Sequence, residues 1–151
     1  MRSGNEAFLD THIFTEHLTI SKERESFLLN CLSRFDNCYT SVINIAEVLS
    51  ACKTAKQTAN AKHAFYGVGL LGIPYRYSEK LGQILRNIKE KDTGSYRDAL
   101  IIMMCSETKL PLVTFEADRY LSLSKKFNVR VIGRNSISED NFLKQTKNNP
   151  A

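Results

Sequence analysis

The sequence predicts an α/β domain built on a central parallel sheet of four to five strands, with helices over both faces. Three observations carry that expectation. Short apolar segments of strand character alternate along the chain with longer segments whose apolar residues recur at helical spacing. The 151 residues are 42% hydrophobic and 25% charged, enough to bury about 70% of the unfolded chain's surface in one core. No repeat, low-complexity tract or linker divides the chain.

The segment "EAFLD" reads as a first strand ending at Asp10, followed by a helix over "THIFTEHL" that Thr11 is able to cap. A second helix is expected from Ser21, with Glu23 and Glu25 in its first turn and Phe27, Leu28, Leu32 and Phe35 at helical spacing. "NCYTS" is the next strand. It feeds one helix over "VINIAEVLSACKTAKQ", with apolar Val42, Ile45, Ala46 and Leu49. The segment "NAKHAFYGVGLLGIPYRYS" begins as helix, is weakened by Gly67, Gly69 and Gly72, and becomes extended at "GIPYRY". "EKLGQILRNIKEK" is an amphipathic helix halted by "DTGS". After it come a helix over "YRDALIIMMCSETK", a strand at "LPLVTF", a helix over "ADRYLSLSKKF" and a strand at "VRVIG". Residues 1–6 read as an N-terminal extension or tag remnant, 7–143 as the folded domain and 144–151 as a flexible tail.

Composition narrows the chemistry. No apolar run approaches the roughly 20 residues of a membrane span, and "MRSGNEAFLD" has no signal-peptide core, so a cytoplasmic protein without membrane association is expected. Cys31, Cys38, Cys52 and Cys105 form no CxxC pair, and buried, inert thiols are expected rather than a zinc set. The net charge of +5 and pI near 9.1 suit a polyanion partner. The charge is clustered: Arg119, Lys125, Lys126, Arg130 and Arg134 fall in a stretch with no acidic residue, and "RYSEKLGQILRNIKEK" is also rich in basic residues.

The acidic residues follow the strand ends. In open parallel sheets, sites form outside the carboxyl ends of the strands. Asp10 ends the first strand, Glu47 lies about two turns into the helix after the second, Asp98 opens a later helix, and Glu116 and Asp118 follow "PLVTF". Each has a structural alternative. Asp10 suits a helix cap, Glu47 an exposed helix face, and Ser95 with Asp98 a capping box. Glu116 and Asp118 suit the positive end of a helix. Four segments that deliver carboxylates to one sheet edge make the oxygen-rich set that hard divalent cations take.

The stretches "FLDTHIF", "TSVINIAEVLS" and "YRDALIIMMCSETKLPLVTFEADRY" together resemble the PIN-domain ribonucleases, most closely the VapC-type toxins of toxin–antitoxin pairs. Those carry an L-D-T-N-type motif, an S-x-x-x-x-x-E motif, a D-A-x-I-A-type motif and a V-T-x-D-x-D-F-type motif, and the match covers about residues 7–133. The resemblance implies a three-layer α/β/α domain with an Mg²⁺- or Mn²⁺-dependent site. In it Asp10 and Asp98 are the main ligands, Glu47, six residues after Ser41, completes the first metal site directly or through water, and Glu116 is the fourth acidic group with Asp118 as its alternative. Glu116 stands where the family usually has Asp, Asp118 matches the motif's second Asp, and His12 stands where Asn is common. The implied activity is endonucleolytic hydrolysis of RNA to 5′-phosphate and 3′-hydroxyl ends. The basic stretches would hold phosphates, with Tyr75, Tyr77, Tyr96 or Tyr120 available for stacking. A homodimer and a small antitoxin are the implied partners. The alternatives are a PIN-like RNA-binding or scaffold protein with weak or no catalysis, for which Glu116 speaks, and a free-standing RNA-processing nuclease.

Overall fold

A computed structural model describes residues 4–20, 22–89 and 92–137. Five strands, β1 (Glu6–Leu9), β2 (Asn37–Ser41), β3 (Val68–Leu71), β4 (Leu112–Val113) and β5 (Val131–Ile132), form one sheet in the order β3-β2-β1-β4-β5. Every pairing is parallel. The intervening helices are α1 (Thr11–Thr19), α2 (Phe27–Arg34), α3 (Val42–Ser50), α4 (Ala55–Ala64), α5 (Ser78–Arg86), α6 (Thr93–Thr108) and α7 (Ala117–Lys126).

The two-residue period of the strands sorts these helices into layers. Ala7, Leu9, Cys38, Val113 and Ile132 point to one face, where they pack with Ile13 and Phe14 of α1, Leu28 of α2, Val48 of α3 and Ala61 of α4. Their strand neighbours Phe8, Leu112 and Val131, with Tyr39, point to the other face and meet Ile84 of α5, the apolar run of α6 and Tyr120 of α7. The α6 run Ile101–Cys105 is buried all round, as expected of a helix packed on the sheet and between α5 and α7. The result is the expected three-layer α/β/α arrangement.

Several local expectations are corrected. Asp10, rather than Thr11, caps α1, its Oδ1 accepting from the Thr11 amide at 2.8 Å. Helix α2 starts at Phe27 behind Ser26, whose hydroxyl accepts from the Leu29 amide, so Glu23 and Glu25 precede it. The single helix expected after β2 is two. It stops at Ser50, and Thr54 with Gln57 forms a capping box that opens α4. Val42, at the start of α3, is exposed.

The glycines of the middle segment make a strand instead of ending a helix. Gly67 has φ +82°, which lets the chain turn from α4 into β3. A Cβ on Gly69 would lie 2.5 Å from the Tyr39 ring on the paired strand. At "GIPYRY" the extended expectation gives way to a 3-10 turn over Tyr75–Tyr77.

Helix α6 begins at Thr93, capped by Asp92 through its bond from the Ser95 amide at 2.7 Å. The Ser95–Asp98 capping box is therefore not formed, and Asp98 stands in the second turn. The expected tail, 144–151, lies outside the described residues, as do residues 1–3 and 138–143. Cys31, Cys38 and Cys105 are buried free thiols and Cys52 is half-buried. Burial pushes the Cys31 and Cys38 thiols up to about 12, which keeps them protonated and unreactive. Among the described residues no helix is long and apolar enough to cross a membrane.

Candidate active site

The chain leaves β1 outward to β2 and β3, then returns to build β4 and β5 on β1's other side. The crevice outside the carboxyl ends of β1 and β4 is thus a topological switch point, where doubly wound sheets bind ligands. Backbone bonds hold the strand ends in line: the Asp10 amide donates to Val113 O at 3.0 Å, joining β1 to β4, and the Thr114 amide donates to Ile132 O at 3.1 Å, joining β4 to β5.

Asp10 is the centre of the site and is 2% exposed. Its Oδ1 accepts from the Thr11 amide (2.8 Å), Asn44 Nδ2 (3.3 Å) and Arg97 Nη2 (2.7 Å). Its Oδ2 accepts from Thr114 Oγ1 (2.8 Å) and Tyr120 OH (3.0 Å). Burial by itself would push this carboxyl up, but the Arg97 guanidinium and the bonds from Arg97, Thr11 and Thr114 hold it below the usual carboxylate range. Asn44 is turned toward Asp10 and Thr11 because Ser41 caps α3 and contacts the Asn44 amide oxygen.

Arg97 links three of the four expected segments. It donates from Nε to Glu47 Oε1 at 2.8 Å, from Nη2 to Glu47 Oε2 at 3.1 Å and from Nη1 to Asp98 Oδ1 at 3.4 Å. Nη1 also donates to the Tyr120 hydroxyl. Glu47 additionally accepts from Thr11 Oγ1 at 2.6 Å. Desolvation works against both charges of the Arg97–Glu47 pair. Even so, their mutual hydrogen bonds keep Glu47 below its ordinary range and hold Arg97 more firmly protonated. Burial, then the Asp10 charge, raises the Tyr120 hydroxyl far above its ordinary value, so it remains a donor to Asp10.

A second arginine joins the fourth segment. Arg119 donates from Nε to Asp98 Oδ2 at 2.8 Å and from Nη1 to Glu116 Oε2 at 3.2 Å. His12 Nδ1 lies 3.6 Å from the same Glu116 oxygen. Asp10, Glu47, Asp98 and Glu116 are therefore brought into one arginine-bridged network. Asp118 lies exposed in the first turn of α7 and is not part of it.

The sequence reading did not assign Thr11, Asn44, Thr114, Tyr120, Arg97 or Arg119 to the site. Tyr120 and Tyr77 are buried, so neither is free to stack on a base. Tyr75 and Tyr96 are exposed. Of the basic stretch, Arg119 serves the network and Arg134 pairs with Glu16 at 2.7 Å, whereas Lys125, Lys126 and Arg130 lie exposed.

The donor set suits a hard divalent cation in chemistry: all its ligating atoms are oxygens, and four carboxylates against two guanidiniums leave two negative charges. As the side chains stand, no three acidic, imidazole or thiol groups among the described residues converge to hold an ion. Arginine nitrogens lie between them.

Comparison with known proteins places the fold. The chain is similar in structure to a toxin–antitoxin complex from Klebsiella pneumoniae, at 20% identity, over 76% of this chain and 89% of that one, with a TM-score of 0.60. It is also similar to FitAB bound to an IR36 DNA fragment (15% identity, 84% and 94% coverage, TM-score 0.56). FitAcB from Neisseria gonorrhoeae matches at 15% identity, 84% and 96% coverage and a TM-score of 0.54. No curated protein matches the sequence. The family description "PIN domain" matches residues 7–125, the span that carries all four acidic residues of the network. The chain belongs to the PIN domain family.

Proposed function

We propose that this protein is a metal-dependent endoribonuclease and the toxin of a toxin–antitoxin pair. The observation that carries the reading is the convergence of Asp10, Glu47, Asp98 and Glu116 from four segments at the switch point of a PIN domain, a nuclease class. Asp10, Glu47 and Asp98 would hold Mg²⁺ or Mn²⁺, with Glu116 as the fourth acidic group and Asp118 as the alternative to it. When bound, such an ion supplies an activated water and charge stabilisation for hydrolysis of a phosphodiester.

The remaining work falls to this chain's own residues. Thr114, Tyr120, Asn44 and the Thr11 amide fix the orientation of the Asp10 carboxylate. Burial of that carboxylate removes competing water. Exposed Tyr96, beside Arg97, offers a ring face to an unpaired base. Exposed Lys125, Lys126 and Arg130, at the end of α7 and the start of β5, lie instead at the opposite edge of the sheet and supply a general attraction for a polyanion.

The partners proposed are an RNA substrate, a second copy of the chain and a small antitoxin, in the cytoplasm. Support for the antitoxin comes from the structural relatives, described as a toxin–antitoxin complex and as FitAB bound to DNA. Support for protein partners also comes from exposed Tyr66, Leu70 and Ile73 in and beside the edge strand β3.

The test is cleavage of a mixed RNA pool by wild type and Asp98→Asn, each with Mn²⁺ and with excess EDTA. Cleavage by wild type with Mn²⁺ alone is expected. Equal cleavage by the variant would remove Asp98 from the mechanism, and equal cleavage in EDTA would remove the metal. RNA binding without cleavage, indifferent to Mn²⁺, would instead favour a binding or scaffold protein.

A further inference from the structure

We propose that Arg97 is a built-in cation that occupies the acidic site, and that a divalent metal enters only as this guanidinium leaves. The inference rests on the metal-dependent reading above and adds a competing occupant to it.

The first ground is the capacity of Asp10. A carboxylate offers about four lone-pair positions, and Asp10 already accepts five hydrogen bonds, three of them on Oδ1. No position is left for a metal while all five donors stay. Four of the donors cannot withdraw cheaply. The Thr11 amide belongs to the first turn of α1, and Asn44, Thr114 and Tyr120 are buried to 1% exposure or less. Arg97 is the exception, a long side chain at 15% exposure.

The second ground is the set of carboxylates that Arg97 contacts. Its three nitrogens together reach Asp10, Glu47 and Asp98, and these are the groups proposed to hold the ion. An Mg²⁺ ion needs oxygen at about 2.0–2.1 Å. At that distance from Asp10 Oδ1 and Glu47 it would share the guanidinium's space and meet its like charge. The bonds that Arg97 makes now and metal ligation by the same oxygens are mutually exclusive.

The third ground is the cost of leaving the site empty. Without Arg97, Asp98 would keep Arg119, but Asp10 and Glu47 would face one another with no cation between them and Asp10 almost wholly buried, and such like charges are unstable unless a cation replaces the lost one. Arg97 therefore lets the domain fold without metal and sets the metal concentration at which the site loads.

The test uses the full chain. Mn²⁺ binding is measured by calorimetry for wild type and Arg97→Gln, and melting is followed with EDTA and with Mn²⁺. Arg97→Gln is expected to bind Mn²⁺ at least about tenfold more tightly, the equivalent of about 1.4 kcal/mol. It should also melt lower than wild type in EDTA and recover with Mn²⁺. In parallel, the Arg97 Nε–H resonance of wild type is followed during Mg²⁺ titration. It should shift and lose its protection from solvent exchange as the site fills, and this measurement decides the matter if the variant does not fold without metal. If wild type binds metal as tightly as the variant, or its Arg97 signal stays unmoved at saturating Mg²⁺, the inference is overturned and the metal-dependent reading stands. If neither protein binds either metal, both fall.

Discussion

Tyr120→Phe removes one oxygen atom from the most heavily bonded part of the molecule. The ring is fully buried and keeps its volume in the variant, so no cavity forms and the change reports on the hydroxyl alone. That hydroxyl donates to Asp10 Oδ2 at 3.0 Å and accepts from Arg97 Nη1. Hydrogen bonds to charged partners contribute about 1.5–3 kcal/mol each when a charged group is left short of a partner. Here neither partner is abandoned: Asp10 Oδ2 keeps Thr114 Oγ1 at 2.8 Å, and Arg97 Nη1 keeps Asp98 at 3.4 Å. The lower end, about 1.5 kcal/mol, is therefore expected. For a chain of this length it corresponds to a fall of about 3–6 °C in melting temperature.

The assay is urea unfolding in EDTA, with the slope against denaturant unchanged. Thr114→Val supplies the control, because Thr114 and Tyr120 donate to the same oxygen. With both removed, Asp10 Oδ2 has lost both its donors in a site 2% exposed to water. The double variant should therefore lose more than the sum of the singles, with a coupling of about 0.5 kcal/mol or more. A Tyr120→Phe protein within about 0.5 kcal/mol of wild type, the ordinary scatter of neutral changes, would refute the reasoning. So would strict additivity with Thr114→Val.

Two further predictions follow from the same geometry. Asp10 and Glu47 titrate below their ordinary range in the folded chain, so the stability they contribute is complete above the unfolded carboxylate value of about 4 and is lost as pH falls through their lower folded values. Melting in EDTA should accordingly show the acid loss due to this pair beginning near pH 4, and an Arg97-dependent loss that begins above pH 6 would contradict it. Gly69→Ala places a methyl group about 2.5 Å from the Tyr39 ring, and should cost about 1–3 kcal/mol in overpacking. Urea unfolding checks it, and a neutral result would mean that β3 shifts freely on β2.

The parts of the fold that could be read in advance are those where local pattern and tertiary packing agree. β1, β2 and α7 are short, sharply bounded and amphipathic or apolar in the expected period. The middle was illegible because glycine lowers both helix and strand propensity. The reason for Gly69 is a ring on a different strand, 30 residues earlier in the chain. The α6 boundary was missed for a related reason: Asp92 and Ser95 each suit an N-cap, and only the backbone chooses between them. In the site, acidic residues stood out by their position after strands, but their partners did not. Tyr120 reads as a core aromatic and Asn44 as a polar helix residue until α3 and α7 are packed against β1. Arg97 was visible beside Asp98, yet its target is Asp10, 87 positions away.

The displaced start of α6 changes what Asp98 can do. A cap residue would spend its carboxylate on the helix's first amides, but Asp92 does that, and Asp98 is left with both oxygens directed at arginines. Arg97 gathers Asp10, Glu47 and Asp98, whereas Arg119 gathers Asp98 and Glu116. Asp98 is thus the only carboxylate of the four that touches both guanidiniums. The buried run of α6 immediately behind it holds it there. Glutamate at position 116 fits this layout, because its extra methylene lets a residue at the mouth of α7, 38% exposed, reach a guanidinium that Asp98 already holds. Movement of either arginine therefore changes a contact of Asp98. It is the side chain through which the buried half of the site, around Asp10, is coupled to the exposed half, around Glu116.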